Sequence, residues 1–206
     1  MLNQCRKPSG WLGRFVLWQM NQRHSRVTDW GLSHIAVGPR DTVLDIGCGG
    51  GRTANKLAAM AAEGKVVGAD YSSASVAAAT KYNAALIAAG RVEILRASVS
   101  QLPFPDATFD LVTAVETHFW WPSPGEDMKE VHRVLRAGGT VLVIAEIYQG
   151  AKSKFSELAE KHLPLAGMKL FTIAQHEQLL RNAGFIDVRV DTEPSKGWIC
   201  AVGIKA

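Results

Sequence analysis

The sequence predicts an α/β fold: a doubly wound, mostly parallel sheet of seven strands, an antiparallel strand in a C-terminal hairpin, and an N-terminal helical lid. Three observations carry this. From residue 42 onward, short apolar runs alternate with helical patterns, the signature of βαβ units with helices on both faces. Residues 42–54 read Thr-Val-Leu-Asp-Ile-Gly-Cys-Gly-Gly-Gly-Arg-Thr-Ala. There an apolar run ends in an acid, breaks into glycines and opens an alanine-rich segment. Strand, glycine turn and helix bring a ligand against bare backbone at a helix N-terminus. The last two apolar runs have only Thr192–Gly197 between them. A parallel crossover needs a dozen or more residues, so these two runs pair as a hairpin and the sheet is mixed, with an antiparallel strand at its end.

The strands predicted in order are Val43–Asp45, Val66–Ala69, Val92–Leu95, Phe109–Val115, Thr140–Glu146, Ile186–Asp191 and Trp198–Ile204. The helices are Arg52–Ala62, Ser72–Ala88, Pro124–Leu135 and Thr172–Ala183, the last with Leu179, Leu180 and Ala183 on its apolar face and Gly184 as its stop. Two segments fall outside the alternation. Residues 8–38 hold Trp11, Leu12, Phe15, Val16, Leu17, Trp18 and Met20, an aromatic-rich helical stretch, with a further helical turn at Trp30–Ile35. Residues 147–171 hold a helix over Lys152–His162, broken by Pro164 and Gly167. Ligands of open α/β sheets sit outside the carboxyl ends of the strands. Both added segments are therefore expected to roof that crevice, giving one domain over 1–206: a lid at 1–38, and a core at 39–206 carrying a cap at about 147–171.

The 206 residues, 47% hydrophobic and 20% charged, describe one globular domain with a sizeable core, not a disordered chain. A net charge of +4 without a run of Lys or Arg is solvated surface and gives no case for nucleic acid. Cys5, Cys48 and Cys200 are scattered and odd in number, and neither a CxxC pair nor an HExxH occurs. No metal site, no disulfide framework and a reducing cytoplasmic location are the expectation. No apolar run reaches the ~18 residues of a membrane span. Residues 1–28 carry five arginines and lysines and no acid before Asp29, which resembles a transit peptide in charge, but the stretch is not serine-rich and reads as part of the fold. A basic amphipathic helix over Arg6–Arg26 would lie on a membrane surface. Its apolar residues occupy too much of the circumference for one clean face, so a lid packed on the protein is expected, with peripheral contact left open.

The turn itself narrows the ligand. No lysine stands in a GK[S/T] arrangement, which excludes a nucleotide P-loop. Gly49-x-Gly51-x-x-Ala54 fits a loose dinucleotide fingerprint, so an NAD(P)-dependent oxidoreductase stays open. Asp45, two residues before the first glycine, would repel a pyrophosphate and welcome a cation. A second acid, Asp70, closes the next run, where a carboxylate can accept from both ribose hydroxyls; its plainer role is to cap the helix that follows.

Four segments, Val43-Leu-Asp-Ile-Gly-Cys-Gly-Gly-Gly, Val67-Gly-Ala-Asp-Tyr-Ser, Leu102-Pro-Phe-Pro-Asp-Ala-Thr-Phe-Asp-Leu-Val and Glu130-Val-His-Arg-Val-Leu-Arg-Ala-Gly-Gly-Thr, stand in one order and spacing. With the terminal hairpin, over about 40–206, they resemble the class I S-adenosylmethionine-dependent methyltransferases, in particular the small type 11 or quinone-methyltransferase-like branch. The resemblance implies a Rossmann-like methyltransferase domain with S-adenosyl-L-methionine as cofactor. It implies that Asp45, Gly47, Gly49 and Gly51 line the cationic methionine end. Asp70 would hold the ribose, Tyr71 flank adenine, and Ser98 and Val99 lie along the adenine edge. Glu116 and Thr117 would approach the methionine part or the transferred methyl. Arg133, Gly138 and Gly139 would be structural. Ser98 replaces the family's usual acid and would bind the adenine amino group more weakly; Ala137 replaces a proline, a neutral backbone change.

Methyl transfer from a sulfonium needs an in-line arrangement, exclusion of water and, for some acceptors, one base; it requires no metal or covalent intermediate. Glu116-Thr-His-Phe-Trp-Trp-Pro, just after the fourth strand, is the best region for it. His118 reads either as a general base near neutral pH or as a loop residue with a satisfied hydrogen bond. Phe119, Trp120 and Trp121 read as an apolar wall able to contact the sulfonium, or as core. Glu116 is a further catalytic candidate, and so is His24 in the lid. The expected acceptor is a small apolar or aromatic molecule; the alternatives are the oxidoreductase above and a non-catalytic cofactor-binding module.

Overall fold

The computed structural model describes residues 24–152, Glu160 and 167–206. The aromatic stretch around Trp11–Met20 and most of the Lys152–His162 helix lie outside the described residues. In chain order the elements are α1 (Ser25–Leu32), β1 (Thr42–Ile46), α2 (Arg52–Met60), β2 (Lys65–Asp70), α3 (Ser73–Tyr82), α4 (Ala84–Ala88) and β3 (Val92–Arg96). They continue with β4 (Phe109–Val115), a 3-10 turn (His118–Trp120), α5 (Pro124–Val134), β5 (Leu135–Ala145), α6 (Ile173–Asn182), β6 (Phe185–Glu193) and β7 (Trp198–Lys205).

The seven strands form one sheet in the order β3-β2-β1-β4-β5-β7-β6. Pairings from β3 to β5 are parallel, and β7 runs antiparallel to both β5 and β6. The antiparallel strand is thus not outermost: the hairpin folds β7 inward against β5, leaving β6 at the edge.

Both sheet faces are apolar, yet the side chains still divide with a period of two. On one face Leu44, Ile46, Val112, Ala114, Val141 and Val143 meet the apolar stripes of α5 (Met128, Val131, Val134) and α6 (Leu179, Leu180). On the other, Val43, Val66, Leu111, Leu142 and Ile144 meet α2 (Ala54, Leu57, Ala58) together with Val27 and Leu32 of α1. Burial of a side chain such as Leu57 contributes roughly 1.5–3 kcal/mol, and it holds α2 against β1, β2 and β3 while α1 packs on β5 and β7.

Two elements depart from the sequence expectation. The helix expected over Ser72–Ala88 is two helices, parted at Asn83. The Asn83 amide donates to the carbonyls of Gly51 at 2.9 Å and Ala79 at 3.0 Å, and its Oδ1 accepts from the Asn55 amide at 3.0 Å. Side-chain bonds of this kind compete with the helix ladder, and here they tie the break to the glycine turn. Strand β5 begins at Leu135 rather than Thr140, because Leu135 already pairs with Phe109 across a register shift.

Candidate functional site

The carboxyl ends of β1, β2 and β4 open into a cleft of about 960 Å³, counting the space open to solvent, under the N-terminal end of α1. Gly47, at φ +68°, starts the turn after β1; a Cβ there would stand 2.3 Å from the Thr117 hydroxyl. Gly51, at φ +80°, caps α2, and a Cβ would come within 2.8 Å of the Ala79 backbone. Both positions therefore exclude side chains because the protein itself closes on them, as well as for their left-handed backbone.

Asp45 is almost fully buried at 1% exposure. Its Oδ1 accepts from the Thr113 hydroxyl at 2.9 Å, while Oδ2 has no hydrogen-bond partner. Burial pushes its carboxyl from 3.8 to about 7; the Thr113 bond opposes this and Asp70 adds to it. Asp70 ends β2, and its Oδ2 accepts from the Gly49 N–H at 3.0 Å and its Oδ1 from the Ser72 N–H at 2.8 Å. Burial raises its pKa against those two bonds. The Ser75 side chain also bonds this carboxylate, and the oxygen it does not reach keeps a lone pair for a further donor. Tyr71 beside it is 40% exposed. Asp45, Gly47, Gly49, Asp70, Tyr71, Glu116 and Thr117 all border this one cleft, and His24 joins them from α1.

Four expected residues stand elsewhere. Gly51 lies behind the turn, packed on Ala79 and Asn83. Ser98 is exposed and accepts from the Ser100 N–H at 3.3 Å, and Val99 is in the core. His118 is also behind the cleft, 1% exposed, with its Nε2 3.0 Å from the Nε2 of His176. His176 Nδ1 lies 2.8 Å from the Thr172 carbonyl and so carries its hydrogen there. His176 Nε2 then accepts, and His118 donates through Nε2, leaving a bare Nδ1 that has no partner. Burial, then His176, holds His118 well below its ordinary range, and burial takes His176 from 6.5 to about 4. Of the three aromatics only Trp120 borders the cleft; Phe119 and Trp121 are buried in separate clusters.

Sequence reasoning passed over Glu146. It follows β5, and its Oε1 lies 3.5 Å from the His24 Nε2. A signal was available: acids stand at or beside the carboxyl ends of β1, β2, β4 and β5 alike. Glu116, a non-glycine at φ +57°, accepts from the Glu146 N–H through Oε1 and donates its own N–H to Ile144 at 2.9 Å. Arg52 and Lys56 of α2 also border the cleft, with Lys56 ion-paired to Asp29. Among the described residues, no helix is long and apolar enough to cross a membrane.

Residues 44–143 match a family model described as a methyltransferase domain. A probable S-adenosylmethionine-dependent methyltransferase of Mycolicibacterium smegmatis is 33% identical over 157 residues, which is 75% of this chain and 54% of that protein. The O-methyltransferase cnsE of Penicillium expansum is 29% identical over 158 residues, 74% of this chain and 56% of that one. The chain thus spans about half the length of the curated relatives it matches. In fold it is similar to a methyltransferase solved in complex with the Haloferax volcanii activator Trm112, with a TM-score of 0.81 and 22% identity over 94% of this chain and 95% of that one.

Proposed function

Since the chain carries a class I S-adenosylmethionine-dependent methyltransferase domain, we propose that the protein transfers the methyl of S-adenosylmethionine to a small, apolar or aromatic acceptor by in-line displacement. The observation that carries this is Asp45: a buried carboxylate with one oxygen lacking a partner, beside the glycine turn and facing Asp70. A cation fits that oxygen, whereas the pyrophosphate of a dinucleotide would be repelled, which favours this cofactor over NAD(P).

Bound S-adenosylmethionine supplies a methyl made electrophilic by its sulfonium. Asp45 and the turn from Gly47 to Gly50 would hold the methionine end. Asp70 would accept from the ribose hydroxyls, and Tyr71 would serve the adenine side. Trp120 covers the reactive end and excludes water from it. Glu116, Thr117 and His24 face the acceptor and receive or orient its proton. His118 supports this wall from behind, since its Nε2–H is committed to His176 and burial keeps the ring neutral. The acceptor is a small molecule and not a nucleic acid.

Equilibrium dialysis with labelled S-adenosylmethionine and labelled NAD tests this directly. Binding of the former supports it, and binding of NAD alone overturns it. Cofactor binding without transfer to any member of a broad acceptor panel would point instead to a non-catalytic module.

A further inference from the structure

We propose that His24, Glu116 and Glu146 form a divalent-cation site at the acceptor end of the cleft. One imidazole nitrogen and one oxygen from each carboxylate lie within 4.8 Å of one another. Ligands of one ion stand at most about 4.2–4.6 Å apart, twice a bond length of 2.1–2.3 Å, so a small contraction closes the set. All three residues are half-buried and come from different, anchored elements. His24 precedes α1, which is fixed by buried Val27 and Leu32, and the two glutamates follow the adjacent strands β4 and β5. Glu116 holds a left-handed backbone that a non-glycine residue rarely adopts. Strain of this kind collects at sites where a side chain must be aimed, and its carboxylate is aimed at Glu146.

The donor set sorts the ion. Imidazole with two carboxylates suits Mn²⁺, Fe²⁺ or Zn²⁺ better than Mg²⁺ or Ca²⁺, which prefer all-oxygen sets. The two carboxylates offset the ion's charge, so a loaded site adds little repulsion against a cationic cofactor nearby. Because His24 and Glu116 border the cleft, the ion's open positions would face it. There it would take an acceptor oxygen and lower the pKa of a hydroxyl bound to it. That narrows the acceptor class to molecules with an ionisable hydroxyl, and this role rests on the methyl-transfer reading. The ligands come from three segments distant in sequence, so motif spacing could not reveal them.

Titrating the metal-stripped protein with Mn²⁺, followed by electron paramagnetic resonance, tests the site without turnover. One bound Mn²⁺ per chain is expected, weakened about tenfold or more in Glu146→Gln and in His24→Gln. Cofactor affinity of Glu146→Gln, measured by calorimetry, should stay close to that of the wild type and also reports that the variant folds. No Mn²⁺ bound at ~1 mM, or binding undiminished in both variants, overturns the site. Mn²⁺ binding without cofactor binding would leave the site standing and remove the methyl-transfer reading. Cofactor binding without Mn²⁺ binding does the reverse, and reduces the trio to a His24–Glu146 ion pair.

Discussion

Asp45→Asn separates the cost of the site from its use. Burial moves the carboxyl from 3.8 to about 7, so holding the charge in the folded, ligand-free protein costs ~4 kcal/mol. The unfolded chain ionises near pH 3.8 and the folded chain near pH 7, so the folded state binds the extra proton between them. Wild-type stability is therefore lost as pH rises through that window, and the asparagine variant escapes the loss. Its amide keeps the Thr113 contact but leaves a buried N–H without an acceptor, a penalty of about 1–3 kcal/mol. The variant should be the less stable protein at pH 4 and the more stable one, by about 1–3 kcal/mol, at pH 8. Urea unfolding across that range reads the crossing. Calorimetry should show the opposite for function: cofactor affinity down by at least ~2 kcal/mol, about thirtyfold. Wild-type affinity should itself weaken as pH falls below 7, when Asp45 takes its proton. A stability difference independent of pH, or a variant that binds like the wild type, refutes this role for Asp45.

Asp70→Ala removes an acceptor already shaped by two backbone donors and should weaken cofactor binding by roughly 1–3 kcal/mol in the same calorimeter, with the fold retained. Gly51→Ala forces a side chain into a left-handed residue packed on Ala79; a loss of at least ~1–2 kcal/mol in urea unfolding is expected. The buried imidazoles act in the acid limb. With His176 at about 4 against an ordinary 6.5, the unfolded chain takes up protons that the folded chain refuses, so stability falls as pH drops from 6.5 towards 4. The double variant His118→Leu/His176→Phe should flatten that fall. Arg133→Ala strips the guanidinium from Glu130, Asp106 and the carbonyls of Leu102 and Phe104, and should lower the melting temperature without changing cofactor affinity.

The succession of strands and helices along the chain was legible because it rests on local patterning: the apolar runs at Val43, Val66 and Leu111 alternate with helical segments, and the six residues Thr192–Gly197 allow only a hairpin. The cleft was legible where chemistry is local, in the acid–glycine turn and the acid closing β2. What escaped notice depends on contacts between distant segments. Asn83 breaks its helix because it reaches Gly51, 32 residues away. His118 read from sequence either as a general base or as a loop residue with a satisfied hydrogen bond; His176, 58 residues on, commits its Nε2–H inside the protein. Glu146 acquires meaning only when β5 lies beside β4 and α1 brings His24 over both.

The most direct measurement is a crystal structure of the protein grown with S-adenosylhomocysteine. The expected result is an amino group on Asp45 Oδ2, ribose hydroxyls on Asp70, and sulfur near Trp120 and Thr117. An empty cleft, or a nucleoside held by other residues while both aspartates face the protein interior, contradicts the proposal.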